Sequence, residues 1–140
     1  MPPRNPRKGT VQRGNKAQRD CANYLESLGY KVHVAVRSRH HANDIFGAFD
    51  IIATRENEPC RFIQVTDVSN QASTGNIYHR RRKVERIPLE PTFNSIEVWA
   101  YVKSDDDVGV SIHDYISIGT TPDGETDRAW KLRKKVSIET

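Results

Sequence analysis

The chain has 140 residues, a formal net charge of +4 and a sequence pI near 9.2, which is the size of one domain. Hydrophobic residues make up 36% of the chain, so we expect one small core and exclude a two-domain enzyme. No apolar run approaches the roughly 18 residues of a membrane span, and none follows the basic N-terminus as in a secretory signal. We therefore expect a cytoplasmic protein with no membrane partner. The cysteines, Cys21 and Cys60, lack the spacing of a zinc site.

The cations are concentrated in three segments. Residues 1–19 contain six Lys or Arg and no acid, residues 79–86 read HRRRKVER, and residues 131–135 add four more cations. Because each Lys or Arg that contacts a phosphate releases counterions, nucleic acid is the expected partner. Solvated surface or terminal tail is the alternative interpretation. The side chains predicted to contact nucleic acid are Arg13, Lys16, Arg80, Arg81, Arg82 and Lys83.

The first part of the chain predicts a basic arm, a helix and a strand. Residues 1–14 combine prolines with cations, so we expect a flexible arm followed by a single domain over residues 15–140. Apolar residues recur at helical spacing in Lys16–Leu28, and Gly29 is typical of a helix end. Tyr30–Arg37 alternates valine with polar residues, which predicts a strand with one apolar face.

A polar loop is expected at 38–48. The predicted elements after this loop are strands at 49–54 and 61–66, a cationic helix at Ile77–Ile87, and strands at Ser95–Val102 and Val108–Ile118. The two short apolar strands, FDIIAT and RFIQVT, are expected to be central and adjacent. The order α-β-β-β-α-β, with or without one further strand, indicates an α/β fold with a mixed sheet and a helix on each face.

Asp50 stands within the apolar run AFDIIA. A carboxylate in such surroundings requires a hydrogen-bonding partner, an ion pair or a bound cation. It is therefore either a structural Asp that caps a turn or pairs with an Arg, or a ligand of a hard metal ion. Gln64 in the next strand would add a neutral oxygen to such a metal site, and Asp44 a second carboxylate. The alternatives are that loop backbone satisfies Gln64 and that Asp44 only forms a turn.

Three segments carry a resemblance to a known family: RGNKAQRD ahead of the first helix, then FDIIA, then FIQVT. Over roughly Arg13–Thr66 they resemble the PD-(D/E)XK nuclease superfamily, and within it the archaeal and phage Holliday-junction resolvases. The resemblance implies a restriction-endonuclease-like mixed central sheet flanked by helices. It also implies cleavage of branched or duplex DNA by a homodimer that uses Mg²⁺ or Mn²⁺. Asp50 matches the metal-binding Asp of that family.

Three positions depart from the charged residues of the family. Gln18 stands where the family has a helix Glu, Gln64 where it has a strand Glu, and Thr66 where it has the Lys that orients the attacking water. A longer pattern, NDIFGAFDIIA with IQVT and RRRK, is similar to a set of phage and bacterial nuclease-like proteins in which Gln-x-Thr is the usual form. The catalytic set that these likenesses imply is Asp50, Gln64, Thr66, Gln18 and Lys83, with Asp44, Asp50 and Gln64 on the metal and Lys83, or an Arg beside it, supplying the missing cation. The two expected functions are a metal-dependent DNA endonuclease and a catalytically inactive nucleic-acid-binding module.

Overall fold

The computed structural model describes residues 6–35, 44–69, 76–105 and 107–138, with side chains from Lys16 onwards in the first helix and from Ile77 onwards in the second. The elements in chain order are α1 (Pro6–Ser27), β1 (Lys31–Val34), β2 (Ile51–Thr54), β3 (Cys60–Asp67), α2 (Asn76–Glu85), β4 (Asn94–Lys103), β5 (Val108–Thr120) and β6 (Thr126–Ile138). The chain is thus a mixed α/β protein in which strands outnumber helices.

The six strands form one sheet in the order β1-β2-β3-β4-β5-β6, so neighbours in sequence are neighbours in space. All pairs are antiparallel except β3 and β4, which are parallel and joined by a crossover through α2. The predicted mixed sheet is confirmed. The predicted order is incomplete, because the sheet continues through β5 into β6.

Helix α1 begins at Pro6, whereas the sequence predicted its start at Lys16. The first position of a helix accepts Pro because its N–H has no partner within the helix, and no further Pro interrupts α1. Residues 1–5 lie outside the described part of the chain, and the flexibility of residues 1–14 stays a prediction. At 22 residues α1 has the length of a membrane span, but no helix in the described ranges is also apolar enough to be one.

The end of α1 is defined by hydrogen bonds that a glycine makes possible. The Tyr30 N–H donates to the Leu25 carbonyl at 3.1 Å, and the Gly29 N–H donates to the Glu26 carbonyl at 3.0 Å. Gly29 has a φ of 93°, a left-handed conformation that a side chain would strain. This pair of bonds ends α1 at Ser27, within one residue of the predicted end, and turns the chain into β1.

Strand β1 is shorter than the predicted Tyr30–Arg37. Its alternation is confirmed, since Val32 and Val34 are half-buried while Lys31 and His33 are exposed. Residues 36–43, which include the rest of the predicted strand and most of the predicted loop, lie outside the described part.

The hydrophobic core lies on both sides of the sheet, because alternate residues of a strand face opposite sides. Val65 of β3 belongs to a buried cluster with Cys21 and Leu25 of α1. Phe62 of the same strand belongs to a second cluster, with Val84 of α2. Burial raises the pKa of the Cys21 thiol well above its usual range, which keeps this thiol neutral within its cluster.

Strands β5 and β6 pair along most of their 13 residues each. The sequence predicted β5 but not β6, whose segment was noted only for its cations. Strand β6 is an edge strand with β5 as its sole neighbour in the sheet, so few of its side chains are buried and its apolar alternation is weak. Lysines on such an edge also discourage further strand pairing.

Candidate functional site

Asp50 lies immediately before β2 and is fully buried. Its backbone is held on both sides: the Asp50 N–H donates to the Ile63 carbonyl at 2.9 Å, and the Asp50 carbonyl accepts the Ala35 N–H at 2.7 Å. The pairing of Ile51 with Ile63 continues this register into β2 and β3. The carboxylate is therefore placed by the sheet itself.

Three N–H donors converge on the Asp50 carboxylate. The Gln18 Nε2 atom donates to Oδ1 at 3.0 Å, and the Gln64 Nε2 atom donates to Oδ2 at 2.7 Å. The Val65 backbone N–H also donates to Oδ2, at 2.8 Å. Thr66 is buried two residues beyond Gln64 on the same face of β3. We call Gln18, Asp50, Gln64 and Thr66 the Asp50 cluster; its members come from three separate segments of the chain.

The donor set of the Asp50 cluster can be compared with what Mg²⁺ or Mn²⁺ requires. Both carboxylate oxygens of Asp50 already accept N–H donors, and the fully buried acceptor atoms of this cluster without a hydrogen-bond partner among the described residues are Gln64 Oε1 and Thr66 Oγ1. Both are neutral, whereas these ions favour carboxylates and water. Across the described ranges, no group of three or more His, Cys, Asp or Glu side chains is arranged to hold a metal. As positioned here, the cluster does not fit a divalent cation.

Asp44 and Lys83 meet at the turn that precedes Asp50. The Lys83 Nζ atom of α2 lies 3.9 Å from Asp44 Oδ2. Asp44 begins a turn in which the Ile45 N–H donates to the Phe49 carbonyl at 2.8 Å, and Asp50 follows directly. Lys83 of the second helix thus lies against Asp44, and its role as the missing cation of the site stays a prediction. The described hydrogen bonds to Asp50 come instead from α1 and β3.

The cations of α2 are divided between the sheet and the solvent. Arg82 and Lys83 are exposed, and Arg82 donates to the hydroxyl of Tyr78, one helical turn earlier. Arg80 is half-buried. Arg81 packs against the sheet. The predicted four-residue cationic patch is therefore reduced on its solvent side to Arg82 and Lys83, with Arg80 partly available.

Arg81 packs on β5 and β6. Its guanidinium lies 5.1 Å from the centre of the Trp130 ring, and its Nη2 atom is 2.7 Å from His113 Nδ1. Because an arginine only donates hydrogen bonds, His113 Nδ1 must accept here and the imidazole is neutral. Burial, Arg81 and Lys135 together lower the pKa of His113. Arg81 is thus part of the packing between α2 and the sheet.

The remaining predicted contacts to nucleic acid lie on α1. The side chain of Arg13 is outside the described part of the chain. Lys16 is half-buried, and its Nζ atom forms an ion pair with Asp20 Oδ2 at 3.0 Å. Asp20 also accepts the Tyr101 hydroxyl at 2.7 Å, which ties this end of α1 to β4. Lys16 therefore has an internal structural role.

The sequence interpretation missed a second fully buried carboxylate, Glu97 of β4. Arg61 donates to both of its oxygens, at 2.8 and 2.6 Å, and the Ser95 hydroxyl and the Trp99 indole N–H each donate at 2.9 Å. Arg133 Nη1 lies 3.7 Å from Glu97 Oε1. The signal was available, since SIEVWAYV places a carboxylate among apolar residues just as AFDIIA does.

Arg133 connects Glu97 to a third acid. Its Nε atom donates to Asp114 Oδ2, and we call Arg61, Glu97, Asp114 and Arg133 the Glu97 network. Burial alone would raise the pKa of Glu97, but the hydrogen bonds and charge of Arg61 bring it below its usual value. The pKa of Asp114 is raised, by burial first and then by the nearby charge of Glu97. The network holds β3, β4, β5 and β6 together through charge.

The superfamily resemblance rests on sequence motifs, so we compared the chain with known proteins. Comparisons with protein-family models, with curated proteins and with solved structures gave no match. The geometry brings Gln18, Asp50 and Gln64 into direct contact, with Thr66 beside them. These are the positions that the resemblance selected, and Lys83 lies with Asp44 at the adjoining turn.

Proposed function

We propose that this chain is a nucleic-acid-binding protein that contacts phosphates through the solvent side of α2. The observation that carries the proposal is the combination of exposed Arg82 and Lys83 with the exposed ring of Tyr78 on one short helix. Cations of this kind supply sequence-independent affinity for a phosphate backbone, and exposed aromatic rings add stacking. Arg86, exposed just beyond α2, extends the same positive surface.

The distribution of buried charge supports this proposal. Among the described residues, the buried Asp, Glu, Lys and Arg side chains are four acids and one arginine: Asp20, Asp50, Glu97, Asp114 and Arg61. The acids are thus withdrawn from the surface more than the cations are. In the described part of the chain, the surface therefore keeps its cations more completely than its acids. Such an excess attracts polyanions over distances of about a Debye length, roughly 8 Å at physiological salt.

Salt-dependent binding tests the proposal. The affinity of the full chain for labelled duplex DNA is measured by fluorescence anisotropy over a range of salt concentrations. The double variant Arg82→Ala/Lys83→Ala is expected to lower the log–log salt slope by about 0.9 for each phosphate that the protein no longer neutralises. The variant Lys31→Ala/Lys103→Ala removes the same charge from exposed positions on β1 and β4 and serves as the control. Equal slopes in both variants would show that only net charge matters and would contradict a binding surface on α2.

A second candidate function is the metal-dependent DNA endonuclease, acting on branched DNA as a homodimer in the manner of a Holliday-junction resolvase. One observation favours it: Gln18 of α1, Asp50 just before β2 and Gln64 of β3 meet at the positions that the superfamily resemblance selects. For this function we propose the restriction-endonuclease-like fold, a mixed sheet with flanking helices. We propose the cytoplasm as the location of the protein. The present donor set does not fit Mg²⁺, so we place this function second.

Restoring the charge pattern of the superfamily separates the two candidates. Gln64→Glu with Thr66→Lys is tested beside wild type, with Mg²⁺ or Mn²⁺ titrated against four-way junction, flap, duplex and single-stranded DNA. Cleavage by wild type would establish the endonuclease, and Lys83→Ala would then test the source of its cation. Cleavage by the double variant alone would indicate a site that has lost its activity. Binding without cleavage by either protein, with no heat of metal binding by calorimetry, is the result expected of a binding module.

A further inference from the structure

Phe46 combines exposure with an unfavourable backbone conformation. Its side chain is 63% exposed, and its φ of 55° lies in the left-handed region that residues with a β-carbon rarely adopt. The turn therefore holds a large apolar ring towards solvent at an energetic disadvantage. Glycine follows directly at position 47, with a φ of 69°, so the left-handed backbone covers two successive residues. Strained conformations of this kind persist where surrounding interactions determine them.

The turn that carries Phe46 is closely hydrogen-bonded. The Gly47 N–H donates to the Asp44 carbonyl at 3.0 Å, and the Phe49 N–H donates to the Ile45 carbonyl at 2.9 Å. The Phe46 ring also has a fixed neighbour, since its centre lies 6.2 Å from that of Phe62. Phe62 belongs to the buried cluster beneath α2. The ring is thus anchored towards Phe62 and open to solvent elsewhere, which makes it a pre-positioned stacking surface.

An ion pair lies at the start of the turn that carries this ring. Asp44, two residues before Phe46, is the acid that Lys83 of α2 contacts at 3.9 Å. The exposed cation Lys83 therefore approaches the turn that carries the exposed ring, and the exposed Arg82 precedes it on α2. A protein-docking surface would require a contiguous exposed apolar patch. An exposed ring with a cation at the same turn matches the chemistry of a nucleotide, which has an aromatic face and a phosphate.

We propose that Phe46 stacks on an unpaired nucleobase while the α2 cations contact the adjoining phosphates. This inference rests on the proposed nucleic-acid-binding function and specifies its substrate class, namely single-stranded DNA with unpaired bases. The physical reason is accessibility: in a continuous duplex each base is covered by its stacked neighbours, whereas an unpaired base exposes its π-face. Stacking on an aromatic side chain tolerates any base, so we expect selectivity for structure and not for sequence.

The test compares single-stranded and duplex DNA of the same sequence, each carrying 2-aminopurine, whose fluorescence is quenched by stacking. Phe46→Gly removes the ring and suits the left-handed backbone, so the variant is expected to fold. It should weaken binding to single-stranded DNA roughly 5- to 150-fold and leave the affinity for duplex DNA unchanged. It should also abolish the quenching of 2-aminopurine fluorescence that wild-type protein causes when it binds the single strand. Phe46→Trp should restore both single-strand signals. Phe93→Ala is the matched control, because Phe93 is 70% exposed but lies in the turn before β4, where its carbonyl accepts the Cys60 N–H.

Several results would overturn the inference. Three outcomes would each show that Phe46 does not stack on a base. They are an unchanged affinity of Phe46→Gly for single-stranded DNA, an equal loss of affinity for single strand and duplex, and an equal loss of affinity in Phe93→Ala. If Arg82→Ala/Lys83→Ala still weakened binding in those cases, the proposed function would stand without it. Wild-type protein that bound neither DNA would overturn both proposals together.

Discussion

Asp50 and Glu97 are two fully buried carboxylates on neighbouring parts of one sheet, and their surroundings differ in kind. The hydrogen bonds described for Asp50 come from neutral donors, two glutamine amides and one backbone N–H. Those of Glu97 include both arms of the Arg61 guanidinium, with Arg133 close by. Each site is a carboxylate in an apolar strand environment, yet among the described residues the donors to Asp50 are amides and those to Glu97 belong to an ionic network.

The difference bears on function as well as stability. The Arg61 guanidinium donates to both oxygens of the Glu97 carboxylate, so this carboxylate serves to join the strands. An amide can present either its N–H₂ group or its oxygen, so Gln18 and Gln64 would be able to change their hydrogen bonding if the chemistry at Asp50 changed. The Asp50 cluster therefore remains the site where a charge-restoring substitution is informative, while the Glu97 network is structural.

The largest expected effect is that of breaking the ionic network. Arg61→Met leaves Glu97 buried without its main partner and should lower the free energy of unfolding by about 3–5 kcal/mol. Urea denaturation followed by circular dichroism measures this loss. The double variant Arg61→Met/Glu97→Met removes both charges and should recover much of the stability. A loss below about 1 kcal/mol in the single variant would mean that Arg133 compensates, and would weaken the contrast with Asp50.

Asp50→Asn is expected to have a smaller effect. The new side chain is neutral and accepts hydrogen bonds at its oxygen only. Even with the Gln18 amide rotated to accept from the new N–H₂ group, the hydrogen bonds to a charged acceptor are lost, so stability falls by about 1–3 kcal/mol. Unfolding in EDTA measures this loss, with the exposed Asp105→Asn as the control. Repeating the measurement in Mg²⁺ sharpens the result: stabilisation of wild type alone would support the endonuclease, because a ligand that binds the folded state raises its stability. A loss as large as that of Arg61→Met would contradict the distinction between the two sites.

Ser95→Ala removes one neutral donor from Glu97 while both guanidinium bonds remain. We expect a loss of about 1.5 kcal/mol in the free energy of unfolding, the lower end for a hydrogen bond to a charged group, because Ser95 is only half-buried. Thermal unfolding by calorimetry is sufficient to detect it. Ser111→Ala, half-buried on the neighbouring strand β5, serves as the control. If Ser95→Ala cost as much as Arg61→Met, hydrogen bonds and not charge would dominate the Glu97 network.

The smallest expected effect on stability comes from the titration of His113. Here a guanidinium favours the neutral form of its neighbour, the opposite of its action on Glu97. Arg61 favours the charged form of Glu97, whereas Arg81 favours the neutral form of His113, and burial acts in the same direction on the histidine. With the folded pKa below its usual value of 6.5, the unfolded chain binds the proton first as the pH falls. Stability should therefore decrease as the pH is lowered through 6.5 towards the folded pKa.

The difference between wild type and His113→Gln isolates this histidine. The variant should show a flatter dependence of the melting temperature on pH between about 5 and 7 than wild type, because the titrating group is absent. Identical pH profiles would show that Arg81 and burial do not perturb the imidazole in the folded protein.

Local patterns were sufficient to predict most elements. The i, i+4, i+8 spacing of Ala17, Cys21 and Leu25 identified the buried face of α1, and the short apolar runs identified β2 and β3 as neighbours. Strand β6 was not predicted, because an edge strand that buries little has no strong alternation. The extension of α1 to Pro6 was not predicted either, since its first turns lack the apolar spacing of the later ones.

The sequence by itself determined that Asp50 must have partners, because a carboxylate among apolar residues is too costly to leave unsatisfied. The same reasoning applied to SIEVWAYV would have found Glu97. Which partners each acid has was decided by the tertiary structure alone. Gln18 is 32 residues from Asp50 in the chain and Arg61 is 36 residues from Glu97, so only the packing of α1 on the sheet and the parallel pairing of β3 with β4 bring them together. The register of the paired strands depends on the whole core. Within the described part of the chain, this register decides that amides donate to Asp50 and that an ionic network surrounds Glu97.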